Sequence, residues 1–368
     1  MADVDIGAGK SARRGYSLGE VSIVPARRTR APEDVDLSWT LEAYTRDLPL
    51  MASPSDAVVS PSTARLVGSL GGVAVLNLEG LWTRYEDPDP LLEEVASLPA
   101  KAACPRLQEL YAEPVKAELV AERIREMAAP GVVTCGAISP QRTLEYAKAV
   151  VEATLDLLVI QGTVVSAEHV AKGSEPLNLK RFIREYDLPV VVGSCSSYTA
   201  ALHLMRTGAA GVLVGVGTGA GSTTGQVLGL GAPFATAIAD AAGARSRHLE
   251  ETGVYVHVIA DGDMATGGDV AKALACGADA VMLGLPLAAA SEAPGRGRYW
   301  EMAAGHASLP RGEFLAVEQL GGMREVLLGP SHSPSGRANL FGALRAAMAM
   351  TGYETLREFH KAEVTVSS

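Results

Sequence analysis

Residues 256–284 read VHVIADGDMATGGDVAKALACGADAVMLG, and their pattern decides the fold. Val256–Ala260 is a nearly unbroken apolar run, as expected of a strand covered on both faces. A polar turn, Asp261-Gly262-Asp263, follows it. Gly267–Cys276 then has the composition of a helix, Gly277 marks its end, and Ala280–Leu283 begins another strand. Strand, helix and strand in that order form a parallel βαβ unit.

The same alternation extends towards the N-terminus. Further candidate strands are Leu48–Ala52, Val73–Leu78, Val132–Ile138, Leu155–Ile160, Pro189–Val192 and Gly211–Val214, with a helix over Ala200–Thr207 ended by Gly208. Eight strand–helix repeats predict an α/β fold, a single (β/α)8 TIM barrel over residues 1–368, with an open doubly wound sheet as the competing topology. Residues 81–130 are charged and contain proline, and read as an insertion between the second and third strands, helical over Ala117–Met127. Residues 296–340 read as a flap near the barrel mouth.

Composition narrows the function classes. The chain is 48% hydrophobic but only 5% aromatic, so its core is built from Ala, Val, Leu and Ile. A net charge of -10 argues against nucleic acid as a partner, since that needs a basic surface. The basic run Arg27–Arg30 reads as a solvated turn. Cys104, Cys135, Cys195 and Cys276 show no CxxC or Cys/His spacing and read as reduced thiols. No secretory signal or membrane-length apolar run is present, so a cytoplasmic protein with no membrane partner is expected.

In a barrel, chemistry sits at the C-terminal ends of the strands. There the sequence offers Ser53-Pro54-Ser55-Asp56, Gln161-Gly162-Thr163, Gly193–Ser197, Gly215–Gly225, Asp261-Gly262-Asp263 and Gly284. Glycines at alternate positions from Gly215 to Gly221 expose backbone groups to a ligand or ion. A flexible linker is the bland alternative, but the run directly follows a strand. GxGxxG spacing is absent, so this is no dinucleotide fingerprint.

These segments resemble a known family. GVLVGVGTGAGSTTGQVLGLGAPFATAIAD (211–240) is similar to the active-site loop of IMP dehydrogenase and GMP reductase. IADGDMATGGDVAKALACGADAVMLG (259–284) resembles the family's Asp-Gly-Gly segment. YSLGEVSIVPARRTR and LPLMASPSDAVVSP resemble its opening, and FGALRAAMAMTGYETLREF its close. The chain leaves no room for the tandem CBS pair of ordinary IMP dehydrogenases.

The resemblance implies a set of roles. Asp261 would hold ribose hydroxyls, and Ser53 would contact substrate. Gly262, Gly284 and Tyr299 would bind a phosphate, and Met302 a base. The carbonyls of Gly217 and Gly219 would hold a potassium ion, Gly215 and Gln161 would lie on the cofactor side, and Thr224 would assist proton transfer. It also implies NAD or NADP as cofactor, a purine-like small molecule as substrate, and a homo-oligomer, usually a tetramer.

Departures from the pattern are as informative. Ser222 stands where the family places its catalytic cysteine, and a serine needs an adjacent base that the loop does not supply. Gln161 replaces an aspartate and Gly225 an arginine, while Ala220 and Leu285 replace two phosphate-binding serines. Asp263 replaces a glycine, putting a like charge where a phosphate would sit. The usual Arg-Tyr of the flap is not recognisable in 311–330.

Three readings stand side by side. In the first the chain is an oxidoreductase, with Cys195 as a substitute thiolate past the fifth strand, or with Ser222 and Thr224 as hydrogen-bonding groups in a reaction without covalent attachment. In the second it is a non-catalytic, nucleotide-binding or regulatory paralogue. In the third the scaffold carries a different chemistry, with Asp261 and Asp263 suiting a neutral or cationic substrate or a divalent ion.

Overall fold

The computed structural model describes residues 3–170, 172 and 176–367. Its centre is eight parallel strands closed on themselves. They are β1 (Leu50–Ala52), β2 (Val73–Asn77), β3 (Thr134–Ile138) and β4 (Leu157–Gln161), then β5 (Val190–Cys195), β6 (Gly211–Val214), β7 (His257–Asp261) and β8 (Ala280–Leu283). Closure is direct: Val281, Met282 and Leu283 of β8 pair with Leu50, Met51 and Ala52 of β1. The strands are Val-, Ile- and Leu-rich along their length because barrel side chains on one face and helices on the other both exclude water. Among the described residues no CBS domain accompanies the barrel.

The fifth strand corrects one expectation. It does not end at Val192 but continues through Gly193 and Ser194 to Cys195, with Gly193 paired to both Gln161 and Leu213. Gly193 permits this, since a Cβ there would collide with the Leu213 backbone and side chain. Small polar residues that read as a turn are strand here.

The N-terminal end of the barrel is covered by a hairpin, Trp39–Leu41 with Tyr44–Arg46. Its Tyr44 hydroxyl donates to Asp156 just before β4 (3.1 Å), and Arg46 donates to the carbonyls of Gly68 and Gly131 (2.6 Å each). Trp39 meets His257, the first residue of β7, edge-on at 5.9 Å.

Beside it a buried network anchors β7 and β8. Arg245 pairs with Asp279 at 2.7 Å, and Asp279 also accepts from the Tyr255 hydroxyl (2.6 Å) and the Val258 amide (2.7 Å). Every carboxylate oxygen is thereby satisfied, which is the condition for such a pair to hold rather than strain the core.

Between β2 and β3 lie three helices, Asp89–Ser97, Ala100–Leu110 and Ala117–Met127. After β8, Arg298–Tyr299 pairs antiparallel with Leu315–Ala316, and both flank the barrel mouth. Among the described residues no helix is long and apolar enough to cross a membrane, and the four cysteines are unbridged.

Candidate functional site

A cleft of about 850 Å³ opens at the C-terminal ends of the strands. Ser53 follows β1 and lines it, as do Gln161 at the end of β4 and Asp261, Gly262 and Asp263 at the end of β7. Gly215, Gly217, Gly219, Ser222 and Thr224 contribute from the long loop after β6, and Gly284, Tyr299 and Met302 from beyond β8. Residues distant in sequence therefore converge on one space. Cys195 does not line it.

Asp261 and Gln161 meet across the floor, Gln161 Nε2 donating to Asp261 Oδ2 at 2.9 Å. Burial pushes the Asp261 carboxyl up to about 7, and the Gln161 hydrogen bond offsets only part of that. With one amide hydrogen committed to Asp261, Gln161 leaves Oε1 buried and without a hydrogen-bond partner.

Glu301 escaped the sequence reading although it sits between Tyr299 and Met302. Its carboxyl is pushed up to about 8, first by burial and then by Asp261 and Asp263. A Cβ on Gly219 would meet the Glu301 carboxylate, so the long loop passes close against that side chain. Asp263 lines the rim with much of its surface open, and partial burial together with Asp269 raises its carboxyl. Tyr299 is buried beside Gly284, its phenol held well above the usual range by burial and by the three carboxylates.

The loop carrying Ser222 is tied to residues 311–313. Ser222 bridges Gly312, the Thr223 amide donates to the Arg311 carbonyl (3.1 Å), and the Glu313 amide donates to the Gly221 carbonyl (2.7 Å). Ser222 Oγ lies 3.2 Å from Thr224 Oγ1, and its partners include no imidazole or carboxylate. An unactivated hydroxyl is a poor nucleophile.

Cys195, the expected substitute, is a correction. Its Sγ faces the Leu213 carbonyl (3.5 Å), the residue is 2% exposed, and burial pushes the thiol up to about 12. As the last residue of β5 it turns away from the cleft, and so buried a thiol is inert.

The same segment supplies an arginine to the cleft. Arg311 reaches across the mouth to donate to Thr163 Oγ1 at 2.8 Å, and its Nε is buried without a partner. Arg84 and Arg142 also line the cleft, Arg84 donating to the Glu79 and Glu113 carbonyls and Arg142 pairing with Glu145 (3.1 Å) and Glu79 (3.7 Å). Nearby, Asp56 accepts from the Tyr111 hydroxyl and the Leu81 amide, while Trp300 Nε1 donates to Tyr111 (3.2 Å). Tyr111 thus ties the segment between β2 and β3 to the cleft wall. Neither Arg311 nor Tyr111 carries a local signal, because each reaches the site only through tertiary folding.

A family model described as IMP dehydrogenase / GMP reductase domain matches residues 15–311. The chain belongs to that family. A solved structure of an IMP dehydrogenase/GMP reductase-like protein from Corynebacterium glutamicum superposes with a TM-score of 0.94 at 46% identity, covering 99% of this chain and 98% of that one. An uncharacterized oxidoreductase of Mycobacterium tuberculosis is 52% identical over 372 residues, 99% of each chain. Inosine-5'-monophosphate dehydrogenase of Methanocaldococcus jannaschii is 32% identical over 251 residues, 59% of this chain and 47% of that protein.

Membership of the IMP dehydrogenase/GMP reductase family invites a test of the groups that family uses. Gln161, Thr163, Arg84, Arg142 and Arg311 all line the cleft; the Arg311 guanidinium beside Thr163 suits the pyrophosphate of a dinucleotide, while Arg84 and Arg142 are already engaged by the Glu79 and Glu113 carbonyls and by the Glu79 and Glu145 carboxylates. For a potassium ion, the Gly219 carbonyl accepts one hydrogen bond from the Ser222 amide (2.9 Å) and keeps its second lone pair, which leaves it able to ligate a cation. Among the described residues no group of three or more His, Cys, Asp or Glu is placed to hold a metal ion, which leaves the divalent-ion reading of Asp261 and Asp263 without a ligand set.

Proposed function

We propose that this member of the IMP dehydrogenase/GMP reductase family is an oxidoreductase acting on a purine-like compound with NAD or NADP, without covalent attachment of the substrate. The carrying observation is the Gln161–Asp261 contact, which joins an aspartate suited to vicinal hydroxyls to a residue on the cofactor side in one cleft. A bound nicotinamide would supply or accept hydride at a ring carbon. Asp261 and Ser53 orient the substrate, and the Ser222–Thr224 hydroxyl pair moves the accompanying proton. The flap contacts exclude water, which strengthens each of these interactions. Where the resemblance places a thiol, Ser222 contributes a hydrogen bond and not a nucleophile.

The competing reading, a binding protein without turnover, is favoured by one observation: Ser222 has no base among its partners. Thermal-shift titration with purine nucleosides and nucleotides, with and without each nicotinamide cofactor, on wild type and Asp261→Ala, checks binding. A ligand at 100 times its dissociation constant stabilises by about 2.7 kcal/mol. Ligands that shift wild type and not the variant are then taken into a nicotinamide absorbance assay. Binding without any turnover would leave the binding protein, and silence throughout would end the oxidoreductase reading.

A further inference from the structure

The segment after β8 turns alternate side chains to the cleft. Tyr299, Glu301 and Met302 line it, whereas Trp300 among them does not and is fully buried behind the wall. The backbone is extended here, Arg298–Tyr299 being strand and Glu301 having φ -84° and ψ 160°, so successive side chains point to opposite sides. Whatever holds the Trp300 indole therefore sets where its neighbours stand.

That hold comes from the segment between β2 and β3. Tyr111, which follows the helix Ala100–Leu110, accepts from Trp300 Nε1 (3.2 Å) and donates its own proton to Asp56 Oδ2. Asp56 Oδ2 also accepts from the Leu81 amide (3.0 Å), while Oδ1 is buried without a partner, so Tyr111 is one of two donors to this carboxylate among the described residues. The Tyr111 ring closes against Gly305, where a Cβ would collide with it. More bonds join the same two segments: Arg298 donates to the Ala96 carbonyl (3.0 Å) and Gln108 to the His306 carbonyl (3.1 Å). From β1's side, Ser55 Oγ donates to the Trp300 carbonyl (2.6 Å), and the indole stacks on Phe314 at 5.7 Å.

We propose that Tyr111 is a positioning residue for the substrate half of the cleft, its hydroxyl pinning Trp300 to Asp56 and so fixing Tyr299, Glu301 and Met302 where a ligand meets them. A phenol suits this place because it donates and accepts at once, whereas an indole N–H only donates and a carboxylate only accepts. Buried groups of this kind hold one geometry when paired and cost stability when left unpaired. The helices between β2 and β3 thereby act as a buttress for the site and not only as an insertion.

This inference rests on the reading of the cleft as purine-binding. It is tested by calorimetric titration of inosine and guanosine 5′-monophosphates, and separately of NAD+ and NADP+, on wild type, Tyr111→Phe, Trp300→Phe and the double variant. Tyr111→Phe keeps the ring against Gly305 and removes only the hydroxyl, and Trp300→Phe keeps an aromatic ring beside Phe314 and removes the N–H. Each single variant should bind the monophosphates about fivefold more weakly, with cofactor affinity unchanged. The double variant should lose less than the product of the two losses, because both changes break one shared bond. Unchanged monophosphate affinity, losses that multiply in full, or an equal loss of cofactor affinity overturns the inference and leaves the oxidoreductase reading intact. If wild type binds neither monophosphate, the purine reading falls and hydrogen exchange decides the pin by itself. Amides of residues 298–306 should then exchange faster in Tyr111→Phe than in wild type while those of the barrel strands do not, and an unmoved rate overturns the inference.

Discussion

Gln161 Nε2 donates to Asp261 Oδ2 at 2.9 Å, joining the end of β4 to the end of β7 across the barrel mouth. These strands are not neighbours in the sheet, so the contact spans the cleft floor and not a ladder. It is also the one interaction that lowers the Asp261 carboxyl against its burial.

Replacing Gln161 with Leu should therefore raise the Asp261 pKa further above 7. Ligand affinity at neutral pH should fall roughly tenfold, about the worth of one hydrogen bond to a charged group. The pH profile of binding separates this from a packing defect. Its acidic limb should move to higher pH in Gln161→Leu, and an unmoved limb would show that the amide does not tune the carboxylate.

Stability without ligand should fall as pH rises through the carboxyl range. Glu301 goes from an ordinary 4.5 to about 8 and Asp261 from 3.8 to about 7, so the folded chain keeps protons that the unfolded chain has lost. Their contribution is complete below the unfolded values and disappears as pH climbs to the folded ones. Melting temperature followed from pH 4.5 to 8 should decline in wild type, and Glu301→Gln should flatten the decline. An unchanged slope in the variant would contradict the assignment.

Cys135, Cys195 and Cys276 should resist alkylation. Cys195 is raised to about 12 and Cys276 to about 11, and Cys135 lies well above its usual range, each through burial. Ser222→Cys puts a thiol in the cleft under the flap, and mass spectrometry after a brief iodoacetamide pulse should find position 222 modified ahead of Cys195. Faster labelling of Cys195 would place its sulfur in the cleft after all.

Asp279→Ala should cost about 3–5 kcal/mol in urea unfolding, because it strands the buried Arg245 charge. Arg245→Met combined with Asp279→Leu should recover much of that loss. A small effect for Asp279→Ala alone would mean that water reaches Arg245.

Much of the barrel was legible because its strands are short apolar runs bounded by glycine or charge. Gly211–Val214 and Ala280–Leu283 form over the residues expected, and the helix Ala117–Met127 likewise. Cys195 was placed just past the fifth strand because strand continuation through Gly193 and Ser194 depends on the close approach of Leu213, which no local pattern announces. Glu301 lay inside a motif whose neighbours were singled out for their resemblance, and an acidic residue between two site residues was the available signal. Arg311 and Tyr111 come from segments with irregular sequence, and only the folded chain brings them to the cleft.

The hairpin seating Trp39 and Tyr44 against His257 and Asp156 makes the cleft a cul-de-sac. Whatever enters must leave by the door it came through, past the loop that Ser222 shares with Gly312. Were two ligands to share such a chamber they would form a queue, the one seated against β7 and β8 arriving first and departing last. Product trapped behind a bound dinucleotide would then act as its own brake, and the lifetime of the outer occupant would set the pace of turnover.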